Sequence, residues 1–365
     1  MSIRDCAWKP NWEETKQHYV DWWNHDGLVI QMWNAPRADR PRLDLPVPET
    51  PAGFAETYTN IDRRLRQIHY DLSTRAFPAD TLPITDTNLG SVSFAAFLGA
   101  EPHFTPETVW YEPPIQGIDE PENLPPQRFN PENRWWKYFE TLLHKCREQA
   151  GNDYMLGCPS SGANLDILAT LREPQTLLVD MIERPEWVVA KMDEIHQFWR
   201  EVYGRIYAIT RLADGSSASQ AFYVWGPGRT GVLFCDTSAM FSPGMFGEFV
   251  LPTLTKQCEW LDHSLYHLDG TQALCHLDHL LEIEALDAIQ WPPQAGIEKG
   301  DNRRWWDLYR RILDAGKSLM AFNEPDPEMV VPLLDAIGGK GVNLMIHFES
   351  ERQAAILLEK VEQFR

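Results

Sequence analysis

Short apolar runs alternate with helical patterns throughout the second half of the chain. Each run is four or five residues long, whereas the helical patterns repeat their apolar positions every three or four residues. The predicted strands cover residues 154–158, 221–225, 265–268, 288–291, 319–322 and 342–346. The predicted helices cover residues 175–183, 187–211, 244–260, 272–283, 303–315, 327–336 and 350–363. Strands that alternate with helices in this way predict a parallel sheet.

The first 150 residues are less regular and supply two more predicted strands, at 27–33 and 82–87. Helical patterns at 10–25 and 59–72 lie beside them, and the proline-rich segments 34–52 and 111–134 are predicted loops. Two early strands and six later ones make eight, the number that closes a (β/α)₈ TIM barrel.

The predicted fold is therefore an α/β barrel that forms one domain over residues 1–365. Residues 1–150 carry its N-terminal helical and loop extension together with the first strands. A doubly wound open sheet is the alternative, and it is less favoured because no Gly-x-Gly-x-x-Gly motif follows an early strand.

Charge and composition narrow the classes of function. The formal net charge of −20 argues against binding to nucleic acid, whose phosphates would be repelled. No apolar run is long enough to span a membrane, and the first residues lack the apolar core of a signal peptide. Six scattered cysteines without a Cys-x-x-Cys pair are typical of thiols rather than disulfides. We therefore expect a cytoplasmic protein that acts on a small molecule.

A histidine and a carboxylate stand at the end of the predicted strand 265–268. Strand side chains alternate between two faces, so His267 and Asp269 are expected to point to the same side. Such a pair can bind a divalent metal or exchange protons, although an isolated His-x-Asp is also common as a purely structural feature. Polar or aromatic groups follow the other predicted strands as well, and in a barrel they meet at one mouth. These additional candidates are Asn88, Asp166, Trp225, Asp236, Gln290, Trp291, Asn323, Glu324 and His347.

Three of these side chains have the composition of a metal site. His267, Asp269 and His347 offer two imidazoles and a carboxylate, which suits zinc or another divalent ion with an open position for substrate. Glu324 is a further candidate, either as a fourth ligand or as a general base. We expect His267, Asp236 and Glu324 to be catalytic. The remaining candidates are predicted to bind substrate, namely Asn88, Asp166, Trp225, Gln290, Trp291 and Asn323.

The order of motifs resembles the uroporphyrinogen decarboxylase superfamily, which includes cobalamin-linked methyltransferases. Phe234-Cys235-Asp236 followed by Ser242-Pro243-Gly244-Met245-Phe246 is similar to the family's acidic segment and its Ser-Pro-x-x-Phe helix start. Ala321-Phe322-Asn323 resembles the end of the seventh strand, and Val342 to His347 resembles the eighth-strand motif. The resemblance implies a (β/α)₈ barrel.

The differences from the family motifs bear on the reaction. The resemblance implies a zinc site made by His-x-Cys after the fifth strand and a cysteine near the eighth. Here His267 is retained, Asp269 stands at the first cysteine position, and His347 lies at or near the second. Both thiolates are therefore absent, which predicts a harder metal site. The paired arginines of the decarboxylases are also missing, since Gln31-Met32-Trp33-Asn34 stands in their place.

The favoured function is a methyltransferase or demethylase that works with a corrinoid partner protein. Two alternatives stay open. A carbohydrate-active enzyme would use Trp33, Trp225 and Trp291 to stack on sugars, with strand-end carboxylates as acid and base. A non-catalytic binding protein on a decayed barrel would account for the missing cysteines and arginines.

Overall fold

The computed structural model describes residues 6–33, 35–106, 108–159, 164–321 and 326–365. Within these ranges the chain is a mixed α/β structure, as predicted. The strands are, in chain order, β1 (Leu28–Gln31), β2 (Ile84–Thr85), β3 (Glu101–Phe104), β4 (Val109–Glu112), β5 (Met155–Cys158), β6 (Ser217–Ser219), β7 (Val224–Gly226), β8 (Thr230–Phe234), β9 (His263–His267), β10 (Ala288–Trp291), β11 (Ser318–Ala321) and β12 (Val342–Met345).

The strands form one six-stranded sheet, one four-stranded sheet and a separate hairpin. The six-stranded sheet is entirely parallel, with the order β1-β12-β11-β10-β9-β8. The four-stranded sheet has the order β2-β5-β6-β7, in which only β7 is antiparallel to its neighbour. Strands β3 and β4 pair with each other in an antiparallel hairpin. Every position of β1, β8, β10, β11 and β12 is buried, which is typical of parallel strands covered on both faces.

Hydrogen bonds that involve side chains join the edges of the two main sheets. On one side, Asp80 precedes β2, and its backbone N–H donates to Ile30 O in β1 at 2.8 Å. The Asp80 carboxylate in turn accepts from the Ile30 N–H at 2.9 Å. On the other side, the Ser217 hydroxyl of β6 accepts from the Thr230 N–H of β8 at 3.0 Å and donates to Gly228 O at 2.7 Å. The pairing of the strands themselves does not continue across either junction in the described residues.

Helices lie between most of the strands. They are α1 (Trp12–Trp23), α2 (Phe54–Thr59), α3 (Ile61–Thr74), α4 (Phe94–Phe97), α5 (Arg134–Ala150), α6 (Asn164–Arg172), α7 (Pro174–Glu183), α8 (Pro185–Thr210), α9 (Pro243–Met245), α10 (Leu251–Trp260), α11 (Leu277–Leu281), α12 (Trp306–Asp314), α13 (Pro327–Ile337) and α14 (Glu351–Val361). The start of α13 shows how local sequence sets a boundary. The Asp326 side chain accepts from the Glu328 N–H at 3.0 Å, and Pro327 occupies the first turn, where it has no hydrogen bond to lose. None of the described helices has the length and hydropathy needed to cross a membrane.

One strand prediction was wrong. The run 221–225 is apolar, but residues Ala221–Tyr223 form a 3₁₀ turn and only the last part of the run enters β7. Phe222 and Tyr223 have φ values of 58° and 49°, in the left-handed region that an extended strand cannot contain. The strand β8 and the hairpin β6–β7 were not predicted. The apolar residues 221–225 favoured a single strand over the turn that joins β6 to β7.

A buried carboxylate connects distant parts of the fold. Asp80 is completely buried, and its Oδ1 lies 2.6 Å from His18 Nδ1 on α1. Its Oδ2 also accepts from the Arg365 guanidinium at 3.0 Å, in addition to the Ile30 N–H. Burial lowers the pKa of the nearby Lys9 to about 8. The negative charge of Asp80 opposes this shift, because it favours the charged form of Lys9. The single carboxylate thus connects the first helix, the first strand and the end of the chain.

We expect Asp80→Asn to lower the free energy of unfolding by about 3 kcal/mol, because it removes the counter-charge of the buried Lys9 and of the partly buried Arg365 guanidinium. Urea denaturation of the full chain measures this change. The matched control is Asp44→Asn, which removes an exposed carboxylate and should stay within about 0.5 kcal/mol of the unchanged protein. Equal urea midpoints for the two variants would show that the Asp80 network does not stabilise the fold.

Candidate functional site

A buried aspartate on α6 positions the first residue of the site. Asp236 follows β8 and opens the 3₁₀ turn Asp236–Met240. Its backbone N–H donates to Asp166 Oδ2 at 2.9 Å, and the Thr237 N–H and hydroxyl donate to Asp166 Oδ1 at 3.0 and 2.6 Å. Asp166 is only 4% exposed, so its role in the structure is to hold this turn rather than to line the cavity.

The two carboxylates influence each other's protonation. Burial, together with the negative charge of Asp236, raises the pKa of Asp166 to about 7, against the opposing effect of its three hydrogen bonds. Burial also raises the pKa of Asp236; His267 counteracts this shift and Asp269 adds to it. A carboxylate with a raised pKa beside an imidazole is characteristic of functional sites.

His267 and Asp269 lie at the carboxyl end of β9. The backbone continues to pair with the neighbouring strand beyond β9, since the Leu268 N–H donates to Gln290 O at 2.8 Å. Gln290 is fully buried in β10, and its Oε1 accepts a hydrogen bond from His267 Nδ1. Because Nδ1 is engaged in this way, Nε2 is the imidazole nitrogen that remains available to a ligand.

Asp236, His267 and Asp269 form a group that could hold a metal ion. One ligand atom from each residue lies within 4.8 Å of the others. The donor set of two carboxylate oxygens and one imidazole nitrogen fits a borderline or hard divalent ion, and Gln290 supplies the outer contact that ligating histidines require. The group differs from the predicted metal ligands, because Asp236 belongs to it and His347 does not. His347 is exposed at the end of β12.

A cavity of about 300 Å³ opens beside this group. Asp236 and His267 form part of its wall, and Asn88 lines it at another point. Four aromatic side chains also line it, namely Trp33, Phe222, Tyr223 and Phe234. The volume lies at the lower end of the range for small-molecule sites, roughly 300–1,000 Å³.

The other predicted substrate-binding residues are placed differently. Gln290 lies behind His267, and both Trp225 and Trp291 are buried, with exposed fractions of 3% and 0%. The Trp225 indole donates to Ser216 Oγ and the Trp291 indole donates to Gly270 O, both at 3.0 Å. Asn323 and Glu324 lie outside the described residues, so their predicted roles stay predictions.

Several residues of the cavity were not among the predicted site residues. Phe222 and Tyr223 had been assigned to the strand 221–225, and Phe234 was read only as part of a family motif. Asp86 lies two residues before Asn88, whose side-chain amide donates to Asp86 Oδ1 at 2.6 Å. The polar spacing Asp-x-Asn after the predicted strand 82–87 was the one sequence feature that could have indicated Asp86.

Comparisons with known proteins place the fold. No protein-family model matches the sequence, and no curated protein does. Among solved structures, a methyltransferase from Methanosarcina mazei matches with a TM-score of 0.61. The match covers 96% of this chain and 98% of that chain at 10% sequence identity. The chain therefore shares its fold from end to end with a methyltransferase, and this likeness concerns the fold alone.

We expect the full chain to bind about one Zn²⁺ or Co²⁺ per molecule, measured by equilibrium dialysis and elemental analysis. His267→Ala and Asp269→Ala should each weaken binding by at least about tenfold, since each removes one of three ligands. His347→Ala serves as the matched histidine control and should retain the affinity. Loss of the metal in His347→Ala, with retention in Asp236→Asn, would instead favour the ligand set predicted from sequence.

Gln290→Ala should weaken metal binding by about 10- to 100-fold, because the imidazole of His267 loses the acceptor that orients it. Gln290→Glu keeps an acceptor at this position and should restore most of the affinity. Gln31→Ala is the matched control, since Gln31 is an equally buried strand amide whose side chain donates to Asn343 instead. Equal affinities for Gln290→Ala and Gln31→Ala would contradict the orienting role.

Proposed function

We propose that this chain is a methyl-transfer enzyme on a uroporphyrinogen-decarboxylase-like barrel and that it acts with a corrinoid partner protein. The observation that carries the proposal is the group Asp236, His267 and Asp269, of which Asp236 and His267 line a small aromatic cavity. The group lies at the carboxyl ends of parallel strands, where barrel enzymes place their chemistry. The shared fold with a methyltransferase supports the choice of reaction.

The proposal includes a closed barrel. Its eight parallel strands would be β1, β2, β5 and β8 to β12, with the hairpin β6–β7 inserted between β5 and β8. The Asp80 bonds to β1 and the Ser217 bonds to Thr230 support closure, because they join the sheet edges on both sides. In this arrangement Asp236, which follows β8, approaches His267 and Asp269 at the end of the neighbouring strand β9.

The residues of the site have distinct proposed roles. Asp236, His267 and Asp269 would hold a divalent ion, which when bound supplies a Lewis acid beside the cavity. Gln290 fixes the imidazole orientation, and Asp166 fixes the turn that carries Asp236. Burial raises the pKa of Asp236, and a bound ion would favour its ionised, ligating form. Asn88 presents polar atoms to the cavity and would orient substrate.

The carbohydrate alternative has less support. Two of the three tryptophans on which it depended, Trp225 and Trp291, are buried in the core and cannot stack on a sugar. Trp33 alone of the three lines the cavity beside the candidate metal group.

The test is a methyl-transfer assay on the metal-loaded full chain. Cobalamin serves as the corrinoid probe, and its absorbance reports gain or loss of the methyl group across panels of methyl donors and thiol acceptors. His267→Ala should lower the rate at least about a hundredfold, since metal charge stabilisation amounts to several kcal/mol. The control is His144→Ala, which removes an exposed histidine on α5 and should leave the rate unchanged. Absence of transfer from every donor, or equal rates in the two variants, would contradict the proposal.

A further inference from the structure

The cavity beside His267 has aromatic rings on several sides. The Trp33 ring centroid lies 5.6 Å from that of Phe222 and 5.5 Å from that of Tyr223, with interplanar angles of 53° and 76°. Phe234 stands nearly perpendicular to the His267 ring, at 78° and 6.3 Å. Rings tilted against each other in this way present π faces and edges to one open cavity. We call Trp33, Phe222, Tyr223 and Phe234 the aromatic cage.

Two cage residues are held in a backbone conformation that few non-glycine residues adopt. Phe222 and Tyr223 are consecutive, and both have positive φ values. The turn is fixed from both sides. The Tyr19 hydroxyl donates to Tyr223 O at 3.1 Å, and the side chain of the preceding Gln220 accepts from the Thr87 N–H at 2.9 Å. Such strain concentrates at ligand sites, because the surrounding contacts must maintain it.

The charged groups that line the cavity of the aromatic cage are carboxylates, whereas Arg75 stands in the adjoining pocket that Trp33, Asp86 and Tyr223 also line. Asp86 and Asp236 line the cavity, and no lysine or arginine appears among the described residues that do so. A divalent ion would offset the charges of Asp236 and Asp269, whereas Asp86 forms no ion pair with a described residue. One carboxylate therefore remains available to a positively charged ligand.

Aromatic faces that line a small space beside a carboxylate recognise cations, and quaternary ammonium groups in particular. We propose that the aromatic cage binds a small methylated ammonium cation, and that this cation is the methyl donor of the enzyme. The second half of this statement rests on the proposed function, whereas the binding site itself does not.

The step balances as follows. The carbon–nitrogen bond breaks and nitrogen keeps its electron pair, so the ammonium cation leaves as a neutral amine. The methyl carbon bonds to a cobalt(I) nucleophile supplied by the corrinoid partner, which donates both electrons of the new bond. The product amine is neutral and therefore binds the cage more weakly than the cationic donor does, which favours release of the product.

The first measurement compares choline with 3,3-dimethylbutan-1-ol, which has the same shape but a neutral carbon in place of the ammonium nitrogen. Calorimetric titration of the full chain should show at least tenfold tighter binding of choline, because only choline gains cation–π and carboxylate attraction. Equal affinity for the two probes would overturn the proposal.

Variants then locate the site. Trp33→Leu should weaken choline binding by about 3- to 30-fold, while Trp33→Phe, which keeps a ring, should lose less. The matched control is Trp110→Leu, which removes a tryptophan on β4 that is 49% exposed and does not line the cavity. Asp86→Asn should also weaken binding, and more strongly at low salt. Unchanged choline affinity in both Trp33→Leu and Asp86→Asn would place the cation elsewhere and overturn the proposal.

The outcomes separate the binding site from the reaction. Selective choline binding that is lost in Trp33→Leu supports the cage even if no methyl transfer occurs, in which case the proposed function fails. Methyl transfer from neutral donors without discrimination between the two probes supports the proposed function and overturns the cage.

Discussion

The fold depends on one buried carboxylate. Asp80 stands at the junction of the two main sheets, where strand pairing is interrupted, and it supplies there the hydrogen bonds that the strands do not make. A charge in such a place is tolerated because the Arg365 guanidinium compensates it and the His18 imidazole forms a hydrogen bond with it. The first helix, the first strand and the end of the chain must therefore all be in place before this region is stable. Asp80 also affects the adjoining cavity. It holds β1 through Ile30, and Trp33, which lines the cavity, lies two residues after the end of β1.

A second buried carboxylate, Asp166, supports the site in the same way, by accepting hydrogen bonds from the backbone. Asp166 accepts hydrogen bonds from two consecutive backbone N–H groups and thereby fixes the turn that carries Asp236. Gln290 does the equivalent for His267. The residues that face the cavity are thus held by partners behind them on α6 and β10. Asp236 and His267 line the cavity, whereas Asp166 and Gln290 support them from behind, which accounts for the placement of these two residues outside the cavity.

The sequence predicted the parallel α/β alternation well, because strands such as β10 and β11 are short, mainly apolar runs with clear helix signals between them. It also placed His267 and Asp269 together, since strand periodicity is local. Two features could not be read locally. The aromatic residues Phe222 and Tyr223 are typical of a strand, and nothing in the amino-acid composition indicates that they adopt left-handed φ values. The proximity of Asp236 to His267 depends on which strands become neighbours, so the grouping of Asp236 with His267 and Asp269 could be seen only in the tertiary structure.

The turn at Phe222 and Tyr223 sets folding stability against the shape of the cavity. Each left-handed non-glycine residue costs about 1–3 kcal/mol, and glycine at either position would remove that cost. Glycine would also remove a wall of the cavity. Selection for a more heat-resistant protein would thus tend to erode these two positions first, whereas selection for ligand recognition would retain them. In a set of related sequences, aromatic residues retained at both positions would indicate that selection for ligand recognition outweighed selection for stability.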